Sequence, residues 1–385
     1  ARDRYHERHG VEVDLRTLGG YFRALERIPT SVNAASMVGH GTIRGLVVGS
    51  ENRPANEAEL GRMRNLVAEA MAQGAVGLST GLEYTPSGFA STAELVFLAE
   101  ALQGTGYPYA SHMRNEDDEV LAAVEEALHV GRMAGVPVQI SHLKAQGERN
   151  WWKAPVILEL LEEVRESGVD VHFDRYPYVA YSTGLTNLFP SWSRAGGSRA
   201  FLRRLGDPEQ RPALERYCRE KVAQLGSWNS VQITSTGSPE AAWVRGRRLG
   251  DAARERGVDP FDLTLALLME SEGSVGMIGF GMSEENTDGM LSHPLGMICS
   301  DGSVYSPSST SSPHPRSYGT FPRVLGHYVR EKGIMPLEVA IHKMTGLPAR
   351  KIRLEDRGVI RPGAYADLVA FDPDTVADRA TFTDP

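Results

Sequence analysis

The chain has 385 residues, 41% of them hydrophobic, and a formal net charge of −8 with both signs interspersed. That is enough apolar material for one large barrel with appendages or for two to three smaller domains. The charge pattern excludes the basic patch of a nucleic-acid footprint, and no apolar run approaches the roughly 18–20 residues of a membrane span. Only two cysteines occur, Cys218 and Cys299, which rules out a disulfide scaffold and leads to the expectation of a reducing, cytoplasmic setting. The opening ARDRYHERHG has no initiator Met and reads as mid-protein sequence, so residues ahead of Ala1 are expected.

From residue 30 to about 180, short apolar strands alternate with amphipathic helices. SVNAASMVG (31–39) reads as a strand. Residues 55–74 carry Leu60, Met63, Val67, Ala70 and Met71 at helical spacing, with Gly74 as a cap. AVGLST (75–80) is a strand, STAELVFLAEAL (91–102) a helix behind a Ser/Thr cap, and YPYASHM (107–113) a strand. Residues 119–135 place Val120, Leu121, Val124 and Leu128 on one helix face. PVQISHL (137–143) is a strand, 154–168 a helix closed by Gly168, and DVHFDRYPY (170–178) a strand. Such alternation means parallel βαβ units, in either an open doubly wound sheet or a closed barrel.

Residues 190–275 break the pattern and read as an insertion or lid, with a charged helix near 209–224, a strand at 230–236 and a helix at 261–271. Alternation resumes with PLGMICSDG (294–302) and a helix at about 322–333, separated by a Ser/Pro tract (306–315) that reads as a mobile loop. The tail over 355–373 changes to short strands with Gly/Pro turns, as at the edge of a small β-domain.

Three polar residues end apolar strands: His112 after YPYAS, His142 after VPVQIS and Asp301 after GMICS. In parallel α/β folds the C-terminal strand ends line the active site. Imidazoles and a carboxylate converging there suit zinc or a similar divalent ion. A single strand-end His is ordinary; two on successive strands with an Asp on a later one are not. Asp174, at the next strand end, reads equally as an acid behind a ligand or as a cap. His40 also ends a strand, a place from which it could line the pocket. Cys299 lies on the same side of its strand as Asp301 but deeper, and reads as core.

SHMR, SHLK thirty residues later, FDRYPYVAYST, HPLGMICSDG and HPRSYGTFPRVLGHYVRE resemble, in that order, the N-acyl-D-amino-acid deacylases (D-aminoacylases) of the amidohydrolase superfamily. GLSTGLEYTP (77–86) and KMTGLPA…LEDRGVIRPGAYADLVAFDP (343–373) match as well, so the resemblance covers nearly all of the chain from about residue 20. It implies a (β/α)8 TIM-type barrel whose first strands are absent. The barrel and its insertion at about 190–275 would occupy residues 1–353, and part of a small β-sandwich domain residues 354–385. It makes His112 and His142 metal ligands for one or two zinc ions. Asp301 becomes the proton shuttle for metal-activated water. The clamp for a free substrate carboxylate falls on Tyr84, Lys144, Tyr176, Ser182 and Arg316. Cation and hydroxyl donors are what a carboxylate needs. The implied reaction is hydrolysis of N-acyl-D-amino acids, a small-molecule substrate with no nucleic-acid or membrane partner.

Two features of the resemblance are missing. No His-x-His pair ends a first strand, and no cysteine ligand stands in an NCG-type segment. Both would precede Ala1, and a shorter loss after Pro385 is expected too. The stretch TGLTNLFPSW after Ser182 carries Leu188, Phe189 and Trp192 and no cation until Arg194, which points to neutral or hydrophobic side chains. The rival readings are a cyclic amide or D-dipeptide hydrolase, and a non-catalytic barrel fragment without a complete metal site.

Overall fold

The computed structural model describes residues 16–28, 30–305 and 311–385. Among the described residues nine strands follow in chain order: β1 (Val38–Gly39), β2 (Leu78–Gly81), β3 (Tyr109–His112), β4 (Val138–Ile140), β5 (Val171–Arg175), β6 (Ala180–Gly184), β7 (Val231–Thr236), β8 (Val275–Phe280) and β9 (Gly296–Ile298). Six of them make an all-parallel sheet in the order β1-β2-β3-β4-β5-β9. That order settles the choice left open by the sequence. A doubly wound sheet reverses its strand order at a switch point. Here each crossover steps the same way, and right-handed connections of one direction put their helices on one face. The sheet is therefore an arc of a barrel.

Local chemistry explains the helices between the strands. Asn56 caps helix Glu57–Ala72 by accepting from Glu59 N–H while the Glu59 side chain reaches back to Asn56 N–H, a capping box. Ser91 caps Thr92–Ala99, and Gly135 ends Val120–Ala134 in the left-handed region at φ 66°. Pro322 interrupts the expected 322–333 helix. An α-helix over Arg316–Arg323 gives way to wide π turns over Val324–Glu331, because proline cannot donate in the ladder. The main core packs Leu78, Tyr109, Val138 and Phe173 of the strands against Met63, Val67, Leu98, Val124 and Ile157 of the helices.

The region read as irregular is well ordered. Strands β6, β8 and β7 form an antiparallel sheet over 180–280, and helices Arg211–Leu225 and Pro260–Glu270 pack on it around Leu188, Phe189, Phe201 and Phe261. The tail departs from expectation. Residues 355–385 form no paired strand, and Ile360, Leu368 and Val369 are exposed there. A strand without a neighbour has nowhere to place its ladder hydrogen bonds. Only Val38–Gly39 of the expected 31–39 strand is paired, for the same reason. Of the Ser/Pro tract, 306–310 lie outside the described residues. Among the described residues no helix is long and apolar enough to cross a membrane.

Candidate active site

All eight residues singled out for chemistry line one cavity of about 160 Å³: His112, His142, Asp301, Tyr84, Lys144, Tyr176, Ser182 and Arg316. His112 is the last residue of β3, His142 and Asp301 follow β4 and β9, and Ser182 comes from β6. A larger cavity of about 990 Å³, beside helix Arg211–Leu225 and β8, includes none of them.

The backbone is bent to present two of these residues. Four non-glycine residues among those described have φ in the left-handed region, and His142 (φ 38°) and Asp301 (φ 47°) are two of them. Such conformations cost about 1–3 kcal/mol each and persist only where neighbours enforce them. Asp174 supplies that enforcement at His142: its Oδ1 accepts the His142 N–H at 2.7 Å, while Oδ2 accepts from Gln139 at 2.6 Å. Asp174 therefore positions a histidine from behind.

The rings converge. His112 Nδ1 lies 2.9 Å from His142 Nε2, and Lys144 Nζ lies 2.7 Å from His142 Nδ1. Lysine only donates. When His142 accepts from Lys144 at Nδ1, its proton sits on Nε2, facing His112. Sequence reasoning missed Glu116, the buried centre of this cluster. Glu116 Oε1 lies 2.5 Å from Lys144 Nζ and 3.1 Å from His142 Nδ1, and Oε2 accepts from Gln146 at 2.8 Å. Its residue sits in the NEDDE stretch after His112, which reads as an ordinary solvated acidic run; only its burial marks it out. Burial alone would push the Glu116 carboxyl up, but Lys144, His112 and His142 outweigh it and hold it well below the usual carboxylate range. Lys144 is raised because Glu116 outweighs its burial. His142 is lowered by burial and by the Lys144 charge. His112 is raised, with Glu116 and Glu83 overcoming its burial.

His112, His142 and Glu116 each bring one ligand atom within 4.8 Å of the others. Two imidazoles and a carboxylate are a donor set that fits zinc. His112 Nε2 is also buried without a hydrogen-bond partner among the described residues. These residues fit the metal that the sequence led us to expect.

The opposite side of the cavity is built for an anion. Tyr176 OH is buried and has no hydrogen-bond partner among the described residues. Arg316 Nη1 stands 2.8 Å from Asp301 Oδ2 in an ion pair without hydrogen-bond alignment. The Arg316 guanidinium stacks 4.8 Å over the Tyr176 ring. His314 pins this arrangement: its Nδ1 accepts the Arg316 N–H at 3.0 Å and its Nε2 donates to Ala180 O at 2.9 Å. Burial pushes His314 down to about 3, which keeps that acceptor nitrogen free of a proton.

Four other lining residues went unread: Glu83, Tyr181, Thr183 and Asn187. Leu188 and Phe189, taken as side-chain pocket, lie instead in the lid core, and Trp192 is exposed. His40 does not line the cavity. It is fully buried, with Nδ1 2.6 Å from Ser87 Oγ and Nε2 3.0 Å from Glu94 Oε1, because the loop after β2 folds over it.

A model of the amidohydrolase family matches residues 12–385, and the chain belongs to that family. It is 38% identical to a D-aminoacylase of Alcaligenes xylosoxydans xylosoxydans over 389 residues, 99% of this chain and 71% of that protein. A solved structure of a D-aminoacylase superposes with a TM-score of 0.78 at 39% identity, over 96% of this chain and 68% of the other. An N-acyl-D-glutamate deacylase from Bordetella bronchiseptica, solved with zinc and a phosphonate mimic of the tetrahedral intermediate, gives 0.79 at 37% identity and the same coverage.

Proposed function

We propose that this chain hydrolyses the amide bond of N-acyl-D-amino acids to a carboxylate and a free D-amino acid. The observation that carries the reading is the buried Tyr176 OH, without a hydrogen-bond partner among the described residues, beside the Arg316 guanidinium, both facing the same small cavity as His112, His142 and Asp301. A substrate with a free carboxylate beside its amide satisfies both donors at once. The D configuration is carried by the similarity to D-aminoacylase.

His112 and His142, with Glu116 as ligand or as partner of His142, would hold zinc. Bound there, zinc supplies a Lewis acid that polarises the amide carbonyl and acidifies water. The chain's own residues do the rest. Tyr176, Arg316, Lys144, Ser182 and Tyr84 bind and orient the substrate carboxylate. Asp301 takes a proton from the attacking water and delivers it to the leaving nitrogen. Arg316 holds one Asp301 oxygen at 2.8 Å and so links carboxylate binding to the position of the proton shuttle.

The side chain is expected not to be acidic, since the lining cations Lys144 and Arg316 are committed to the clamp and to Asp301. The division of the chain into a barrel over 1–353, with its lid at about 190–275, and a separate segment over 354–385 belongs to the same proposal. In support, β6 of the lid sheet delivers Ser182 to the cavity.

The test is a panel of N-acetyl-D-, N-acetyl-L- and cyclic amide substrates, with zinc added and with a chelator. Turnover confined to the D-series and abolished by chelation is expected. Activity only on L-substrates or cyclic amides sinks the reading.

A further inference from the structure

Three carboxylates line the cavity, and they are not equivalent. Asp301 is paired with Arg316 at 2.8 Å and Glu116 with Lys144 at 2.5 Å. Glu83 has no lysine or arginine partner among the described residues. Its Oε2 accepts from Asn187 Nδ2 at 3.2 Å and lies 3.5 Å from His112 Nε2. The nearby cation Arg194 does not neutralise it directly. Arg194 donates through Nη1 to Asn187 Oδ1 at 2.7 Å and through Nη2 to the Glu83 backbone oxygen at 2.9 Å. Those bonds fix the loop and turn the Asn187 amide nitrogen, a donor, towards Glu83. Glu83 thus stands in the wall as a held carboxylate whose side-chain neighbours are Asn187 and His112 instead of a lysine or arginine, in the same cavity wall as Tyr84 and Thr183, whose hydroxyls are 3.1 Å apart.

We propose that Glu83 determines side-chain specificity, favouring N-acyl-D-amino acids whose side chains end in a cation or a hydrogen-bond donor and refusing acidic ones. This rests on the deacylase reading above. The α-carbon of such a substrate bears three heavy substituents. The carboxylate goes to Tyr176 and Arg316, and the amide to the histidines and Asp301. The side chain is left with the remaining wall, made of Glu83, Tyr181, Thr183 and Asn187. That wall offers a carboxylate and polar groups rather than hydrocarbon. A lysine, arginine or glutamine side chain gains a charge-assisted hydrogen bond there, while a glutamate side chain would bring a second anion into a small, poorly solvated space.

The decisive measurement is kcat/KM of the zinc-supplemented chain for N-acetyl-D-lysine, N-acetyl-D-glutamine and N-acetyl-D-glutamate, for wild type, Glu83→Gln and Glu83→Leu. Bound zinc is measured in each, because Glu83 neighbours His112. The wild type should prefer D-lysine over D-glutamate by about 10- to 100-fold, the size of one charge-assisted hydrogen bond. Both variants should shrink that ratio about tenfold or more at unchanged zinc content. The ratio is the readout, so a general loss of rate does not mask the effect. Wild-type turnover of D-glutamate equal to that of D-lysine, or a ratio unmoved in both variants, overturns the proposal alone. So does a charge effect that follows the acyl group, seen with N-succinyl against N-acetyl substrates. No turnover of any N-acyl-D-amino acid overturns the deacylase reading along with it.

Discussion

Lys144 and Glu116 form a buried ion pair at 2.5 Å, and His142 closes it into a triangle, 2.7 Å from the amine and 3.1 Å from the carboxylate. The histidine can use its Nδ1 in two ways. Accepting from Lys144, it keeps a proton on Nε2. Donating to Glu116, it frees the Nε2 lone pair for a metal. Carboxylates that orient a ligand histidine in this way typically change metal affinity 10- to 100-fold.

Glu116→Gln should therefore weaken zinc binding by about one to two orders of magnitude. It should also destabilise the fold by about 3–5 kcal/mol, because Lys144 would be left as a buried charge without its partner. Competition with a chromophoric chelator and thermal unfolding measure the two effects. Wild-type zinc affinity in the variant would remove Glu116 from the centre.

Asp301→Asn should keep the zinc content and lower kcat by about 10²- to 10⁴-fold, the range for losing a positioned acid–base group. Single-turnover rates on zinc-quantified protein check this. Turnover near wild type would show that the proton travels by another route.

Much of this site is legible in the sequence because strand ends are. An apolar run that stops at His112, His142 or Asp301 announces both the strand and the side of the sheet its last residue faces. Lys144 and Tyr176 follow from the same logic. Glu116 and Glu83 do not, since each sits in a loop whose path depends on packing between elements distant in sequence. Asn187 lines the cavity while its neighbours Leu188 and Phe189 turn into the lid core, a division set by the β6-β8-β7 sheet rather than by composition. The tail reads as strand from its propensity, yet a strand needs a partner as well as propensity.

Tyr176→Phe separates binding from stability. The hydroxyl is buried with no partner among the described residues, and an unsatisfied buried polar group costs about 1–3 kcal/mol. Removing it should leave the unfolding free energy unchanged or raised. KM for an N-acetyl-D-amino acid should rise, while kcat changes less. A lower melting temperature with unchanged KM would place the hydroxyl in the scaffold instead of the clamp.

The loop carrying Glu83 and Tyr84 is anchored from behind by a buried network, and that anchor has a pH signature. Ser87 of the loop bonds His40, His40 bonds Glu94, and Arg44 Nη1 reaches Glu94 at 2.5 and 2.7 Å. Burial would push the Glu94 carboxyl up, but His40 and Arg44 outweigh it and bring it below the ordinary value. The unfolded carboxyl titrates near about 4.3. Between that value and the lower folded one, the unfolded chain binds more protons, so stability rises with pH across the window. The stabilisation is complete above the unfolded value and is lost as pH falls through the folded one. Glu94→Gln leaves Arg44 without its counter-charge, and should lower the unfolding free energy by about 3–5 kcal/mol at pH 6. The gap between wild type and variant should stay level from about pH 5 upward and narrow below about pH 4. Denaturant unfolding at a series of pH values measures it. A gap that does not change with pH would mean that the network holds the loop by shape alone, with the Glu94 charge playing no part.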